Sequence, residues 1–283
     1  HFAVFFLLRS CLNFSYLSLY KKLYNDIVFE DVMKRQILVG LGFALGLFCH
    51  NSFAVELHLY AGAGLKQPVE QVVGLFEKET GNTVTIEYGG SGQILTRFNL
   101  TQQGDLFFPG SQEYVEKLAK QNQVVSQYPI VRHIPVIAVR KDKIGEIKTI
   151  TDLANSSLKL GMGDAKAIAL GKSGEQLIEA SGQGEQLRNK VVVRTATIKQ
   201  LLMYLLNGEV DAAIIGYADA MKNQDKLVLL PIPEGSPEEI ATLAVLKTST
   251  NPTQAQQLAD YFSRPEGIKA FTDYGFLPVI SKP

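Results

Sequence analysis

The most constraining stretch of the chain is a short glycine-rich segment, Gly89 to Gly92, that stands between a strand pattern and a helix pattern. The β-branched run Val84-Thr-Ile86 precedes it, and an apolar helical pattern runs from Ile94 to Phe98. A strand that turns through glycines into a helix leaves the first helical N–H groups without partners, at the positive end of the helix dipole. Such a turn can bind an anion without a charged side chain. A flexible surface turn is the alternative, but a second strand–glycine–helix pattern over residues 57–66 favours a shared role.

The N-terminal part of the chain predicts export from the cytoplasm. A basic pair, an apolar run from Ile37 to Phe48, and the small residues Ser52 and Ala54 follow one another. These are the three regions of a cleavable signal peptide, and the apolar run is short for a membrane span. We therefore expect a signal peptide over residues 33–54, cleavage after Ala54, and an upstream extension over residues 1–32. An uncleaved anchor that uses the upstream aromatic residues is the alternative.

The composition after the predicted cleavage point narrows the possible functions. Five of the 28 basic and three of the 28 acidic residues precede Val55, which leaves 23 against 25, a net charge of −2. A near-neutral balance without a basic stripe offers no electrostatic surface for nucleic acid. Both cysteines, Cys11 and Cys49, also precede Val55, so the remainder has no thiol nucleophile, disulfide or cysteine metal site. Cys49 does not fit a lipid-attachment site because Phe48 before it is not small, and we expect a soluble exported protein.

Strand and helix patterns alternate along the rest of the chain, which predicts parallel sheets covered by helices on both faces. The predicted strands are Leu57–Tyr60, Thr83–Tyr88, Asp105–Phe108, Ile134–Val139, Leu158–Met162, Lys190–Arg194, Ala212–Ile215, Leu227–Ile232 and Ala241–Leu246. The predicted helices span about 68–81, 93–102, 111–120 with Ser111 as the cap, 151–155, 174–180, 198–206, 254–262 and 266–274. Ligands of such sheets bind at the carboxyl ends of strands, which is where the glycine turns occur.

Motifs for nucleotide binding or catalysis are incomplete. Gly62-Ala-Gly64 follows a strand like a dinucleotide fingerprint, but Gln67 replaces the third glycine. Gly171-Lys172-Ser173 looks like the end of a phosphate-binding loop whose first glycine is missing. His58 and His133, the only histidines after residue 54, have no serine or carboxylate motif around them. An exported hydrolase that uses carboxylates far apart in the sequence stays open as an alternative.

Eight short segments are weak motifs when taken one by one, but their order and spacing together are specific to one class of protein. They are Leu59–Leu65, Phe76–Gly81, Tyr88–Gly92, Gly104–Gly110, Gly161–Asp164, Gly208–Ala213, Arg264–Ile268 and Tyr274–Phe276. Together they resemble the periplasmic molybdate-binding proteins of ABC transporters and, more broadly, the type II solute-binding fold. The resemblance covers nearly all of residues 55–283.

The resemblance implies an α/β fold of two lobes, each a mostly parallel sheet flanked by helices, joined by crossover strands near Val131–Val139 and Ile232–Leu246. Residues 55–135 and 240–283 would form the first lobe, and residues 136–239 the second. The implied function is that of a periplasmic monomer that binds a small oxyanion, molybdate or tungstate, by hinge closure and delivers it to an ABC permease. No cofactor and no catalysis are implied. The same fold could instead bind sulfate, phosphate or another solute, for uptake or for sensing.

The resemblance also implies which residues hold the anion between the lobes. The implied ligand-binding residues are Ala63, Gly64, Gly90, Ser91, Gly92, Leu170, Gly171, Thr197, Ile198, Gly216 and Tyr217. Ser91 matches the family's serine in the second turn, whereas residues 170–171 and 197–198 fall where the second lobe supplies backbone amides.

Two positions depart from the family pattern. Gly64 stands where the first turn usually has a serine, and Gly216 stands where a strand usually ends in a tyrosine. Tyr217 is displaced by one residue, and a one-residue shift can turn a side chain to the other face, so both packing and ligand contact stay open for it. Other donors that could replace the lost hydroxyls are Lys66, Lys172 and Lys199.

Overall fold

Two β-sheets form the framework of residues 54–279, the part of the chain that the computed structural model describes. The strands are β1 Glu56–Gly62, β2 Thr83–Gly89, β3 Leu106–Phe108, β4 Val124–His133, β5 Pro135–Arg140, β6 Leu160–Gly163, β7 Val191–Thr195, β8 Ala212–Gly216, β9 Leu227–Leu229, β10 Glu239–Leu246 and β11 Leu277–Pro278. The first sheet has the order β11-β4-β10-β3-β1-β2, and the second has the order β7-β6-β8-β5-β9. The predicted signal peptide, the upstream extension and Cys49 lie outside the described residues.

Helices connect the strands and cover both sheets. They are α1 Lys66–Thr80, α2 Ser91–Thr101, α3 Gln112–Lys120, α4 Ile150–Asn155, α5 Ala169–Ala180, α6 Gly184–Asn189, α7 Ile198–Asn207, α8 Tyr217–Lys222, α9 Pro252–Ser263 and α10 Pro265–Thr272, with short 3-10 turns at Ala63–Leu65 and Lys141–Lys143. We call the first sheet with α1–α3, α9 and α10 the first lobe, and the second sheet with α4–α8 the second lobe. No helix within residues 54–279 combines the length and apolar character needed to cross a membrane.

Helix α1 shows how the sequence pattern sets one of these elements. Val69, Val72, Val73 and Phe76 recur at helical spacing and are buried against the first sheet. The helix ends at Gly81, whose φ of 75° places it in the left-handed region that glycine adopts without strain. The next strand then starts at Thr83.

Because neighbouring strands run in the same direction, the glycine turns that follow them lie along one edge of the sheet. Strands β1, β2 and β3 are parallel, and β4 runs the same way because β10 is antiparallel to both β3 and β4. The first sheet therefore ends, along one edge, at Gly62, Gly89, Phe108 and His133. In the second sheet β6, β7 and β8 are parallel, and β5 is antiparallel to β8.

The chain passes between the sheets next to this edge. It leaves the first sheet after His133 and enters the second at Pro135, which lies opposite Gly216 in the pairing of β5 with β8. It returns between Leu229 and Glu239. The predicted fold class is confirmed, whereas the exact residues at which the two lobes divide stay a prediction.

An aromatic cluster fills the core of the first lobe. The ring centroids of Phe108 and Phe262 are 5.5 Å apart, and those of Phe108 and Phe271 are 5.7 Å apart. All three side chains are fully buried, so each removes a large apolar area from water. The cluster joins α9 and α10 to Phe108, the last residue of β3.

We expect Phe262→Ala to lower the free energy of unfolding by about 3–5 kcal/mol, because the cavity it leaves is enclosed by the sheet and two helices. Leu100→Ala is the control, since Leu100 is 80% exposed on α2 and its loss should change stability by less than about 0.5 kcal/mol. Urea denaturation followed by circular dichroism measures both changes. Equal effects of the two variants would contradict this account of the core.

Candidate ligand-binding site

The glycine turn at the start of α2 brings the backbones of the two lobes into contact. The N–H of Gly92 donates a hydrogen bond to the carbonyl oxygen of Ala167 in the second lobe, at 2.9 Å. A methyl group at Gly90 would lie 2.5 Å from the oxygen of Ala196, and one at Gly92 would lie 2.4 Å from the oxygen of Lys166. The approach of the lobes therefore requires glycine at both positions.

A small pocket of about 30 Å³ lies between the lobes at this contact. Its lining residues are Ala63, Gly64, Leu65, Gly89, Gly90, Ser91, Gly110, His133, Ile168, Ala169, Leu170, Thr197 and Ile198. Seven of the eleven predicted site residues are among them, namely Ala63, Gly64, Gly90, Ser91, Leu170, Thr197 and Ile198. The structure thus brings together segments that are more than one hundred residues apart in the chain.

The other four predicted residues do not line the pocket, and each has a packing role. Gly92 forms the contact between the lobes described above. Gly171 packs against the backbone of Asp164, where a methyl group would lie 2.4 Å from the carbonyl oxygen, and its N–H is bonded to Ile168. Gly216 lies behind the ring of His133. The N–H of Tyr217 is bonded to the oxygen of Ile134, and its ring packs on the core of the second lobe.

Three helical segments that begin at the pocket have an N-cap residue without a capping side chain. The N-cap residues of the 3-10 turn, of α2 and of α5 are Gly62, Gly90 and Ile168, and none of them makes a side-chain cap hydrogen bond. By contrast, Ser111 caps α3 and Thr149 caps α4 through their hydroxyl oxygens. A helix start without a cap leaves backbone N–H groups that need another partner. Helix starts of this kind line the pocket from both lobes, although Gln93 Oε1 accepts a hydrogen bond from the N–H of Gly90 and Thr197 caps α7.

Two hydroxyl groups complete the donor set of the lining. Ser91 is buried, and its Oγ accepts a hydrogen bond from the N–H of Gly110 at 3.0 Å. Thr197 Oγ1 accepts from the N–H of Gln200 at 3.2 Å. Because a hydroxyl has one hydrogen and two lone pairs, each group can still donate its own hydrogen to a ligand.

No lining residue of this pocket carries a permanent charge. The three lysines that could have replaced the lost hydroxyls are paired with carboxylates instead. Lys66 lies 3.7 Å from Glu70, Lys172 forms an ion pair with Glu113, and Lys199 lies 2.6 Å from Asp219. The pocket consequently offers backbone and side-chain hydrogen-bond donors with positive helix ends, and no full cationic charge.

His133 lines the pocket, although its sequence context contains no binding motif. Burial lowers the pKa of His133 to about 4, while Asp219 and the backbone of Gly110 raise the pKa and Lys199 lowers it. The imidazole is therefore neutral at pH 7. His133 is the last residue of β4 before the chain crosses to the second sheet. Its position at the crossing could have indicated that it lies at the pocket.

Comparison with known proteins identifies the family. A family model described as bacterial extracellular solute-binding protein matches residues 57–277 of this chain. The chain belongs to this family. A Haemophilus influenzae protein, whose name says only that it is a binding protein, is 56% identical to it over 225 residues, which are 80% of this chain and 92% of the relative. The molybdate-binding protein ModA of Escherichia coli is 22% identical over 236 residues, 80% of this chain and 91% of the relative.

Solved structures share the fold of this solute-binding protein. The periplasmic molybdate-binding protein of Azotobacter vinelandii has a TM-score of 0.68 at 19% identity, with 80% of this chain and 100% of that chain covered. The sulfate-binding protein SubI of Mycobacterium tuberculosis also has a TM-score of 0.68, at 18% identity, with 80% and 88% covered. The resemblance predicted from the sequence motifs is confirmed.

We expect Gly92→Ala to hinder closure of this solute-binding protein, because the added methyl group collides with Lys166 and displaces the hydrogen bond to Ala167. A loss of about 1–2 kcal/mol of closing energy would weaken ligand binding roughly 5- to 30-fold. Small-angle X-ray scattering should show a larger radius of gyration for the variant in saturating ligand.

The matched control is Gly74→Ala, since Gly74 lies within α1 and a methyl group there meets no atom within 4 Å. This change should stabilise the helix by about 1 kcal/mol and leave closure unaltered. If both variants scatter like the unchanged protein, Gly92 is not needed for the contact between the lobes.

Proposed function

We propose that this solute-binding protein captures a small oxyanion in the periplasm and delivers it to the permease of an ABC importer. The observation that carries the proposal is the convergence of helix N-termini from both lobes, three of them without a capping side chain on the N-cap residue, on a pocket without a charged lining residue. The polar side chains of the lining are the hydroxyls of Ser91 and Thr197 and the imidazole of His133, and each of them can donate a hydrogen bond to an anion.

The physical character of the pocket also limits the class of ligand. A cation or an amine would meet the positive ends of the helices and the N–H groups, so its binding would be opposed. The volume of about 30 Å³ restricts the ligand to a few atoms in this closed arrangement. Fixed neutral dipoles can match an anion's size and shape, and its charge is distributed over several helix ends. A compact oxyanion fits these limits.

Among oxyanions we favour molybdate or tungstate. Relatives with molybdate in their names match over 80% of this chain, and SubI, which shares the fold, is named for sulfate. Sulfate and phosphate are therefore the competing ligands. The protein would act as a monomer without a cofactor and without a catalytic step, after removal of its signal peptide.

The transport mechanism would follow from where the donors lie. Ser91 belongs to the first lobe and Thr197 to the second, so one anion bonded to both holds the lobes together. A ligand that contacts both lobes favours the closed state in proportion to the contacts it makes only there. The closed form would then dock on the permease, while an open, empty form would be released.

We expect molybdate and tungstate to raise the melting temperature of the full chain in a thermal-shift screen that also includes sulfate and phosphate. A ligand at a hundredfold excess over its dissociation constant adds about 2.7 kcal/mol to stability. The physical reason is that only the folded state holds the helix ends together. A rise with sulfate or phosphate alone would change the assigned ligand, and no rise with any of the four would contradict oxyanion binding.

We expect Ser91→Ala to weaken binding of the selected anion by roughly ten- to a hundredfold, since it removes a hydrogen bond to a charged ligand worth about 1.5–3 kcal/mol. Thr149→Ala is the control, because it removes a cap hydroxyl from α4, away from the pocket, and should lower stability by about 1 kcal/mol without changing affinity. Isothermal titration calorimetry separates the two effects. Equal affinities of Ser91→Ala and the unchanged protein would remove Ser91 from the site.

A further inference from the structure

The unexplained feature of the pocket is a buried imidazole with an unpaired nitrogen. His133 is 6% exposed and lines the pocket. Only two buried side-chain nitrogen or oxygen atoms among the described residues lack a hydrogen-bond partner, Nδ1 of His133 and Nε of Arg264. Arg264 Nε has a carboxylate oxygen of Glu266 at 3.6 Å, whereas His133 Nδ1 lies beside the backbone of Gly110 without a hydrogen bond of normal geometry. A buried polar atom without a partner is costly, and a ligand can remove that cost.

Three glycines enclose the ring of His133. A methyl group at Gly216 would lie 2.9 Å from Nε2, one at Gly110 would lie 3.2 Å from Nδ1, and one at Gly64 would lie 3.6 Å from Cε1. A side chain at Gly216 would therefore collide with the ring, and one at Gly64 would contact it. The ring occupies the space into which a side chain at Gly216 or Gly110 would project, whereas a methyl group at Gly64 would first meet Cγ2 of Ile198, at 3.3 Å.

Two of these glycines are the positions at which the sequence departs from the molybdate-binding pattern. The pattern has a serine hydroxyl where this chain has Gly64 and a tyrosine hydroxyl where it has Gly216. The structure places a single imidazole beside both. We propose that His133 takes over the role of the two missing hydroxyls and donates a ring N–H to the bound anion as a specificity-determining residue. This inference rests on the proposed oxyanion function and names a further residue of the same site.

The neutral state of the ring agrees with this role. A neutral imidazole carries one N–H donor and one nitrogen lone pair, so it adds a donor to the pocket without adding a charge. Its N–H can therefore join the hydroxyl of Ser91 and the backbone amides of α5 around one anion. One ring N–H in place of two hydroxyls also changes the number and direction of the donors, which is how a pocket discriminates between oxyanions of similar size.

The test compares His133→Phe with His133→Asn in calorimetric titrations with molybdate, or with sulfate if the screen of the unchanged protein selects sulfate. His133→Phe keeps a ring but has no donor, and we expect roughly tenfold weaker binding or more. His133→Asn places an amide near the position of Nδ1 and should recover most of the affinity. The control is His58→Phe, because His58 lies on β1 beside Glu87, at 3.5 Å, and does not line the pocket.

A measurement on the unchanged protein guards against a variant that fails to fold. The chain has four histidines, so ¹⁵N spectra of the imidazole nitrogens are simple, and the His133→Asn spectrum assigns the signals of His133. Addition of the anion should shift a ring nitrogen of His133 and leave those of His58 in place. Anion binding with unmoved His133 signals, or with full affinity in folded His133→Phe, would overturn the inference. Absence of anion binding to the unchanged protein would instead overturn the proposed function.

Discussion

The structure depends on a backbone-to-backbone contact between the two lobes that only glycine permits. Gly90 and Gly92 meet the carbonyl oxygens of Ala196, Ala167 and Lys166 at distances that leave no room for a Cβ atom. Without this approach the start of α2 and the start of α5 could not face the same small volume. The contact also uses one of the free amides of α2, because the N–H of Gly92 is bonded to Ala167. Ser91, one residue earlier, lines the pocket.

Much of the fold was predictable because local signals and the global pattern agree. The glycine that ends α1 and the serine that caps α3 were both recognisable, since their roles depend on neighbours in sequence. Strand β4 was not predicted, because Ser126, Gln127 and Pro129 interrupt its apolar pattern. Proline is tolerated there because the pairing of β4 with β10 shifts register beside it. Helix α5 starts at Ala169 rather than at Gly174 as predicted. The prediction began late because glycine disfavours a helix, whereas Gly171 is inside this one and packs closely on Asp164.

The site was predictable only as far as it is made of strand–turn–helix units. The first two turns are recognisable from their own strand–glycine–helix patterns, whereas residues 170–171 and 197–198 are implied only by the family resemblance. Whether a glycine of the site contacts a ligand or packs on another backbone segment depends on residues that are distant in the sequence. Gly92 and Gly171 pack on backbone segments of the second lobe, and nothing near them in the sequence distinguishes that role from ligand binding. The backbone N–H of Tyr217 is bonded to the oxygen of Ile134, and the ring packs on the core of the second lobe.

His133 and Gly216 are in steric contact, so the departure from the family pattern at position 216 leaves space for the imidazole. A side chain at 216 would approach Nε2 of His133 to 2.9 Å, so a tyrosine there would require the imidazole to move. The pairing of Pro135 with Gly216 fixes the end of β8 beside the crossing of the chain, where the ring of His133 also lies. Because the ring is neutral at pH 7, the exchange preserves the uncharged lining of the pocket. Replacing the hydroxyls with an imidazole thus changes the positions of the hydrogen-bond donors, while the positive helix ends still attract an anion.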